Sequence, residues 1–403
     1  MMQNFKRPIF LFVFLHNLVL ALTATIFLSV FAYGQNYISL FDGIEYAAVE
    51  YSIKGDPVKI YLLRLDPAKV RLDVVHAMDS AIGLEKTSSL ARRHGAIAAI
   101  NGGFFRNDES IWAGEASGVL FINNRLLSES NNNRTALFID NPGNITNIEF
   151  APITIGSCFK IAGLELNFTG INRERNDNDL IEYTPEFGRS TLTLGRGLEV
   201  IVKRNKIVAI SEESGSNIIP QDGIVISATG EYAGRLRRLA RIGGKIERCV
   251  YIIHQVGNDF LSSDSVRTGK AFSRAEDITG GVSELLRNGR IHLTWKEEKA
   301  AQSFAENRHP RTAIAKFPDG RILLAAVDGR RPGQSVGMTL QELAEYLLSI
   351  GVSDAMNLDG GGSTTMYLDG RVVNNPSDAK GERRVGDAII VTLRSSQKQS
   401  TKK

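Results

Sequence analysis

The run Asp359-Gly360-Gly361-Gly362-Ser363-Thr364 holds the densest chemistry in the chain. Three successive glycines let the backbone enter φ > 0 and turn its N–H groups toward one point. Such a concave array binds an anion, typically a phosphate or a carboxylate. Ser363 and Thr364 add hydroxyl donors, and Asp359 stands at the rim. The run carries no lysine and no following helix, so it is not a Walker loop. The plain alternative is a wide glycine-rich turn.

Two further groups are of the same kind. Asn101-Gly102-Gly103-Phe104-Phe105 follows an apolar stretch and offers an amide above an aromatic floor, or else a turn whose phenylalanines plug the core. Val327-Asp328-Gly329-Arg330-Arg331 sets an acid beside two guanidiniums, and Arg308-His309-Pro310-Arg311 precedes the strand expected to pair with it. In an antiparallel hairpin the start of one strand lies beside the end of its partner, so Arg311 and Asp328 are expected to be neighbours. Arg grips phosphate bidentately, and the alternative is a surface ion pair. Gly381-Glu382-Arg383-Arg384 offers a further cation, with Arg384 in a solvated loop.

Other chemistries lack their signatures. His16, His76, His94, His254, His292 and His309 form neither HxH nor HExxH spacing, which argues against a zinc hydrolase. His309 reads as a structural neighbour of Arg311. No Gly-x-Ser-x-Gly elbow supports a serine hydrolase. The two cysteines, Cys158 and Cys249, lack CxxC spacing and read either as one disulfide or as two buried thiols.

The elements that must position these residues are mostly strands. Ile60–Leu63 and Val70–Val74 alternate as half-buried strands do. Leu84–Arg93 reads as a short helix, followed by a buried strand over Ala96–Ile100 that delivers Asn101. Gly118–Ile122 opens a hairpin at Asn123-Asn124, and residues 198–210 form another around Lys203-Arg204-Asn205. Residues 171–179 read as an exposed polar loop. Thr312–Phe317 pairs with Arg321–Val327. Thr339-Leu340-Gln341-Glu342 is a capping box for a helix that Gly351 stops. Ala355–Leu358 is a strand leading into Asp359. Asp369-Gly370 turns a hairpin, and Asp387–Leu393 is the last strand. Strands outnumber helices without regular alternation. The expected class is α+β, with mixed, mainly antiparallel sheets and a few flanking helices, not a doubly wound fold.

The chain has 403 residues, 43% hydrophobic and 23% charged, which excludes disorder as the dominant state. Lys plus Arg is 48 against 44 for Asp plus Glu. That balance is too weak for a nucleic-acid groove. Lys6 and Arg7 precede an apolar run from Ile9 to about Ala32, closed by Ala32-Tyr33-Gly34-Gln35. This reads as a secretory signal, or as an uncleaved N-terminal anchor. The expected organisation is a signal or anchor over 1–34, accessory strands of the main domain over 35–94, the main domain over 95–393, and a disordered tail over 394–403. The expected location is secreted or periplasmic, with membrane contact only through an uncleaved leader.

Taken together, the motifs resemble the phosphodiester glycosidase family. The matching segments are Ala99–Phe105, Tyr183–Gly188, Asp222–Ser227, Gly280-Gly281, Pro310–Ile314, Val327–Arg330, Gly337–Leu340, Asn357–Ser363 and Asn374–Asp378. In order they cover about residues 95 to 392. Ala315 departs from the family, which commonly has glycine there. The resemblance implies hydrolysis of a sugar-1-phosphodiester at the glycosidic side, releasing free sugar and a phosphomonoester. Bacterial members are often labelled exopolysaccharide-related, which points to envelope or extracellular glycans as substrate.

With that activity, Asp359 takes the carboxylate role, as base toward water or as nucleophile, and Asp328 supports it or holds Arg311. Arg311 and the Gly360, Gly361 and Gly362 amides hold the phosphate, with Ser363 and Thr364 beside them. Asn101 and Gly102 meet the sugar. No cofactor is called for. A Ca²⁺ or Mg²⁺ between Asp328 and Asp359 ranks last, because two carboxylates with an arginine between them make a poor cage. The alternative function is a non-catalytic binder of anionic polysaccharide.

Overall fold

The computed structural model describes residues 35–253 and 270–394. The leader expected over 1–34, the tail beyond Arg394, and His16 and His254 lie outside the described residues. Among the described residues strands dominate, nearly all antiparallel, with short helices such as Thr87–Arg93, Gly230–Leu239, Gln302–Glu306 and Leu340–Ser349. The α+β expectation therefore holds as a sheet-rich, mainly antiparallel fold. No helix among the described residues is long and apolar enough to cross a membrane.

The largest sheet has eight strands. Its centre is Ile322–Val327, paired on one side with Asp56–Leu65 and on the other with Arg311–Lys316, which in turn pairs with Asp354–Asn357. Every residue of Ile322–Val327 is buried, as a strand covered on both faces requires. Successive side chains alternate between faces. Leu324 and Ala326 join a core with Ile100 and Ile389 of a second sheet. Leu323, Ala325 and Val327 join the opposite core, against Leu343, Ala344 and Leu347 of the helix Leu340–Ser349.

That helix starts where the capping box requires. Thr339 Oγ1 accepts the Glu342 N–H at 3.0 Å, and Glu342 Oε2 accepts the Thr339 N–H at 3.0 Å, a cap of about 1 kcal/mol. Glu342 also accepts from Arg308 Nε at 3.1 Å and Nη2 at 2.8 Å. The same carboxylate thus caps the helix and tethers the segment that enters Arg311.

The second sheet runs Arg371–Val372, Met366–Leu368, Ala98–Asn101, Asp387–Leu393, Val70–His76. After Asn357 the chain leaves the eight-stranded sheet, passes through the glycine run, and enters this sheet at Met366, opposite Ile100. The glycines therefore sit at the crossing between the two sheets. Residues 35–94 supply strands to both, through Asp56–Leu65 and Val70–His76.

The expected turns appear with the backbone they need. Asn123 and Asn124 have φ of 50° and 62°, Arg204 and Asn205 46° and 61°, Asp369 and Gly370 46° and 84°. These are the left-handed pairs that suit two-residue hairpins. One expectation is corrected. Residues 171–179 form a loop, but only Asn176–Asn178 are exposed. Arg173 reaches Asp179 at 2.9 Å and Glu129 at 3.2 Å, and Asn172 bonds the Leu127 carbonyl. A polar run with internal partners folds inward. Cys158 and Cys249 oppose one another on paired strands, with Cα atoms 4.9 Å apart, and form a disulfide.

Candidate active site

The register of two central strands brings the first pair of candidates together. Ala313 pairs with Asn357 in an antiparallel ladder, so two residues further Arg311 comes opposite Asp359. Both line a cleft of about 400 Å³, with Gly360, Gly361 and Gly362. Larger clefts of about 620 and 440 Å³ lie elsewhere, but neither includes the glycine run. Convergent charge, more than volume, singles out the smaller one.

The glycines serve this cleft by their lack of side chains. Gly361 has φ of +61°, and a Cβ there would stand 2.9 Å from Arg330 Nη2. A Cβ on Gly362 would collide with the Arg383 guanidinium, and one on Gly360 would approach the Pro310 carbonyl to 2.7 Å. Two arginine guanidiniums thus rest close against the loop. The expected cradle of three free glycine amides is corrected in part: the Gly361 N–H donates to Pro310 O at 2.9 Å, and the Gly360 N–H donates to the Asp359 carboxylate. The guanidiniums of Arg311, Arg330 and Arg383 bring positive charge to this cleft.

Arg383 Nε donates to Asp378 Oδ2 at 2.6 Å. Arg330 is exposed and makes no hydrogen bond or ion pair with other described residues. Its φ of +60° is unusual for a side-chain-bearing residue. Arg311 is fully buried behind them. Its Nε donates to Met338 O at 2.8 Å, and its Nη2 to Phe304 O at 2.7 Å and Asn307 O at 3.0 Å. Burial and the neighbouring Arg330 push its pKa down to about 10, so it stays charged at neutral pH. Phe304 stacks on this guanidinium at 5.0 Å and meets Phe104 edge-on at 5.9 Å. Burial, Arg311 and Arg330 push His309 below its ordinary pKa. It lines the cleft as well.

Asp359 is the carboxylate of this cleft. Burial lifts its pKa to about 6, against the pull of the Ser363 hydroxyl, Arg383 and the Gly360 N–H, and the acid Asp387 adds to the rise. Ser363 Oγ is buried and has no partner of good hydrogen-bond geometry.

Four expected site residues take other places. Asn101 is buried, and its carboxamide is engaged inside the protein: Nδ2 donates to Asp359 O at 2.7 Å, while Oδ1 accepts from Thr312 Oγ1 at 2.9 Å and the Thr365 N–H at 3.1 Å. It holds Asp359 instead of a sugar. Gly102 also faces inward, its carbonyl accepting the Asp359 N–H at 3.1 Å. Asp328 does not meet the Arg311 guanidinium, although the backbones are adjacent through the Arg311–Val327 pair. Its carboxylate accepts from Asn374 Nδ2 at 3.1 Å and the Asn375 N–H at 3.0 Å. Burial raises its pKa against these donors and Tyr61. It braces the loop after the glycines from behind. Thr364 is buried too, its hydroxyl 3.2 Å from the Thr312 hydroxyl. Asp328 is outside the cleft lining that holds Asp359.

Arg330, Arg383, Phe104 and Phe304 supply what those residues do not. The acid-arginine and Gly-Glu-Arg-Arg clusters pointed to the first two. Nothing local marks Phe304, which reaches the cleft only because the helix Gln302–Glu306 folds beside Arg311.

The chain is similar to several known proteins. The N-acetylglucosamine-1-phosphodiester alpha-N-acetylglucosaminidase of Bos taurus is 31% identical over 193 residues, 44% of this chain and 36% of that protein. The SPbeta prophage-derived uncharacterized protein YomE of Bacillus subtilis strain 168 is 39% identical over 145 residues, 36% of this chain and 20% of that protein. The chain thus spans about a third or less of the length of these curated relatives. A crystal structure of a hypothetical protein from Synechocystis shares the fold, with TM-score 0.74 and 24% identity over 89% of this chain and 64% of that one. The family model for phosphodiester glycosidases matches residues 196–392, a shorter stretch than the 95 to 392 expected from the motifs. The Asn101–Phe105 turn lies outside it, yet holds Asp359. Over residues 196–392, just under half of its length, the chain is similar to the phosphodiester glycosidase family.

Proposed function

We propose that this protein hydrolyses the glycosidic C1–O bond of a sugar-1-phosphodiester, releasing free sugar and a phosphomonoester. The observation that carries the reading is one ionisable carboxylate, Asp359, in the same cleft as two guanidiniums laid over Gly361 and Gly362.

In this reaction a water oxygen bonds to C1 and the C1–O bond breaks, its electron pair leaving on the phosphate oxygen. A phosphate is a far weaker base than an alkoxide, so the departing oxygen needs little help from a general acid. The usual pair of carboxylates is then reduced to one. Arg330 and Arg383 meet the charge that develops on the leaving phosphate; fixed donors of this kind supply much of the rate enhancement in such sites. Asp359, with a pKa of about 6, is ionised at neutral pH. It accepts the proton of the attacking water, or bonds C1 itself before water releases the sugar. The Phe104–Phe304 edge gives an apolar wall for the sugar ring. Arg311 supports the cleft from behind. Export toward envelope or extracellular glycans belongs to the same proposal and is supported by the basic pair and apolar run of residues 6–32.

A panel of sugar-1-phosphate diesters, with product analysis, tests the reading. Reducing sugar and phosphomonoester are expected in equal amounts. Sugar-1-phosphate as the product, or tight binding of every diester without turnover, contradicts it.

A further inference from the structure

Asp387 opens the strand Asp387–Leu393 and is buried. Its carboxylate lies directly under the Asn101–Gly103 turn. A Cβ on Gly102 would stand 2.7 Å from Asp387 Oδ2 and 3.0 Å from Oδ1, so only glycine fits there. Thr279 Oγ1 donates to the same carboxylate at 2.7 Å. The main chain adds a second link. Gly102 donates its N–H to the Asp387 carbonyl at 3.0 Å, and the Gly102 carbonyl accepts the Asp359 N–H at 3.1 Å. A continuous set of hydrogen bonds therefore runs from Asp387 through one turn to Asp359. Asp387 lines only a void of about 10 Å³ behind Phe104, not the cleft itself.

We propose that Asp387 is a positioning residue for the hydrolysis proposed above, on which this inference rests: it seats the turn that carries Asp359 and acts on that carboxyl as a second buried acid. The groups facing Asp359 are the Ser363 hydroxyl, the Gly360 N–H, Arg383 and Asp387. Arg330, Arg311 and His309 line the same cleft, and Asp378 is paired with Arg383. Asp387 is faced by Thr279, the Gly103 N–H and His76. The His76 ring nitrogens lie 3.1 Å from the Ala77 and Gly114 carbonyls. Asp387 is thus the acid, not already paired with an arginine, that bears on Asp359. A charged Asp387 carboxylate disfavours charge on Asp359, so Asp359 releases its proton at higher pH than it would beside a neutral residue.

The test is the pH profile of kcat/KM for the full chain and for Asp387→Asn. The acid limb is expected to move down by about half a pH unit or more, roughly threefold in proton affinity. Thr279→Val, which removes the donor that stabilises the Asp387 anion, is expected to move it the same way by less. A uniform loss with an unmoved limb in folded variants overturns the proposal. The Asp359 carboxyl resonance, followed by ¹³C titration with labelled aspartate, gives the same readout without turnover. A wild-type protein that hydrolyses no diester would refute the functional reading alone. An Asp359 titration unchanged by Asp387→Asn would refute this one.

Discussion

The Arg383 guanidinium occupies the space that a side chain on Gly362 would need. The absence of a Cβ at one position is therefore what allows a cation to lie beside Asp359. Gly362→Ala should displace Arg383 while leaving the sheets intact. We expect kcat/KM for a sugar-1-phosphodiester to fall about 10- to 100-fold, the loss of one charge-assisted contact, with a change in unfolding free energy of about 1 kcal/mol or less. Steady-state kinetics and urea denaturation on the same preparation check both.

Arg330 gives the complementary case. It is exposed and bonds to no other described residue, so Arg330→Ala should leave stability within about 0.5 kcal/mol. If it meets the departing phosphate, kcat should fall by roughly 100-fold or more. Unchanged kcat in that variant would remove Arg330 from the chemistry.

Asn101→Ala should act on the fold first. It leaves the Thr365 N–H without its acceptor and the Asp359 carbonyl without its donor, both in a buried turn. A loss of about 2–4 kcal/mol is expected in urea unfolding, accompanied by a fall in kcat because Asp359 loses its support. Activity lost at full stability would restore Asn101 as a substrate contact.

Asp328→Asn separates a brace from a catalytic acid. One acceptor oxygen remains for Asn374 or Asn375, so stability should fall by about 1–2 kcal/mol. We expect kcat/KM to stay within about tenfold of wild type, with the pH profile unmoved. A thousandfold loss without destabilisation would place Asp328 in the reaction.

The sign of the pH effect on stability follows from Asp359. Its folded pKa of about 6 lies above the ordinary 3.8. The proton is held more tightly in the folded state, so the stabilisation it brings is complete below the unfolded value and is lost as pH rises through about 6. Asp359→Asn removes this dependence. The variant should match wild type near pH 4 and exceed it above pH 7, by up to roughly 3 kcal/mol. Thermal melts across that range check it.

Local patterns in the sequence were enough to place many elements. Thr339 and Glu342 show the capping box in their spacing, and Asp369-Gly370 shows its turn, because both depend on neighbours four residues apart or closer. The pairing of Arg311 with the end of Ile322–Val327 followed from the hairpin alone. What the hairpin does not carry is side-chain direction, so the expected Arg311–Asp328 contact failed: the guanidinium turned to three carbonyls, and the carboxylate to Asn374 and Asn375. The glycine run was legible as a candidate site but not in its physical form. Whether its amides are free depends on Pro310, and whether cations lie over it depends on Arg330 and Arg383. Asp387 left no local trace, since a strand-opening acid looks solvated until its partner, Gly102, arrives from 285 positions away.

The most direct test of the central claim is where solvent oxygen goes. Hydrolysis of a sugar-1-phosphodiester in ¹⁸O-enriched water should put the label on the anomeric hydroxyl of the released sugar and none on the phosphomonoester, as cleavage at C1 demands. Label in the phosphate would mean that water attacks phosphorus, and the roles given to Asp359 and the two guanidiniums would be contradicted.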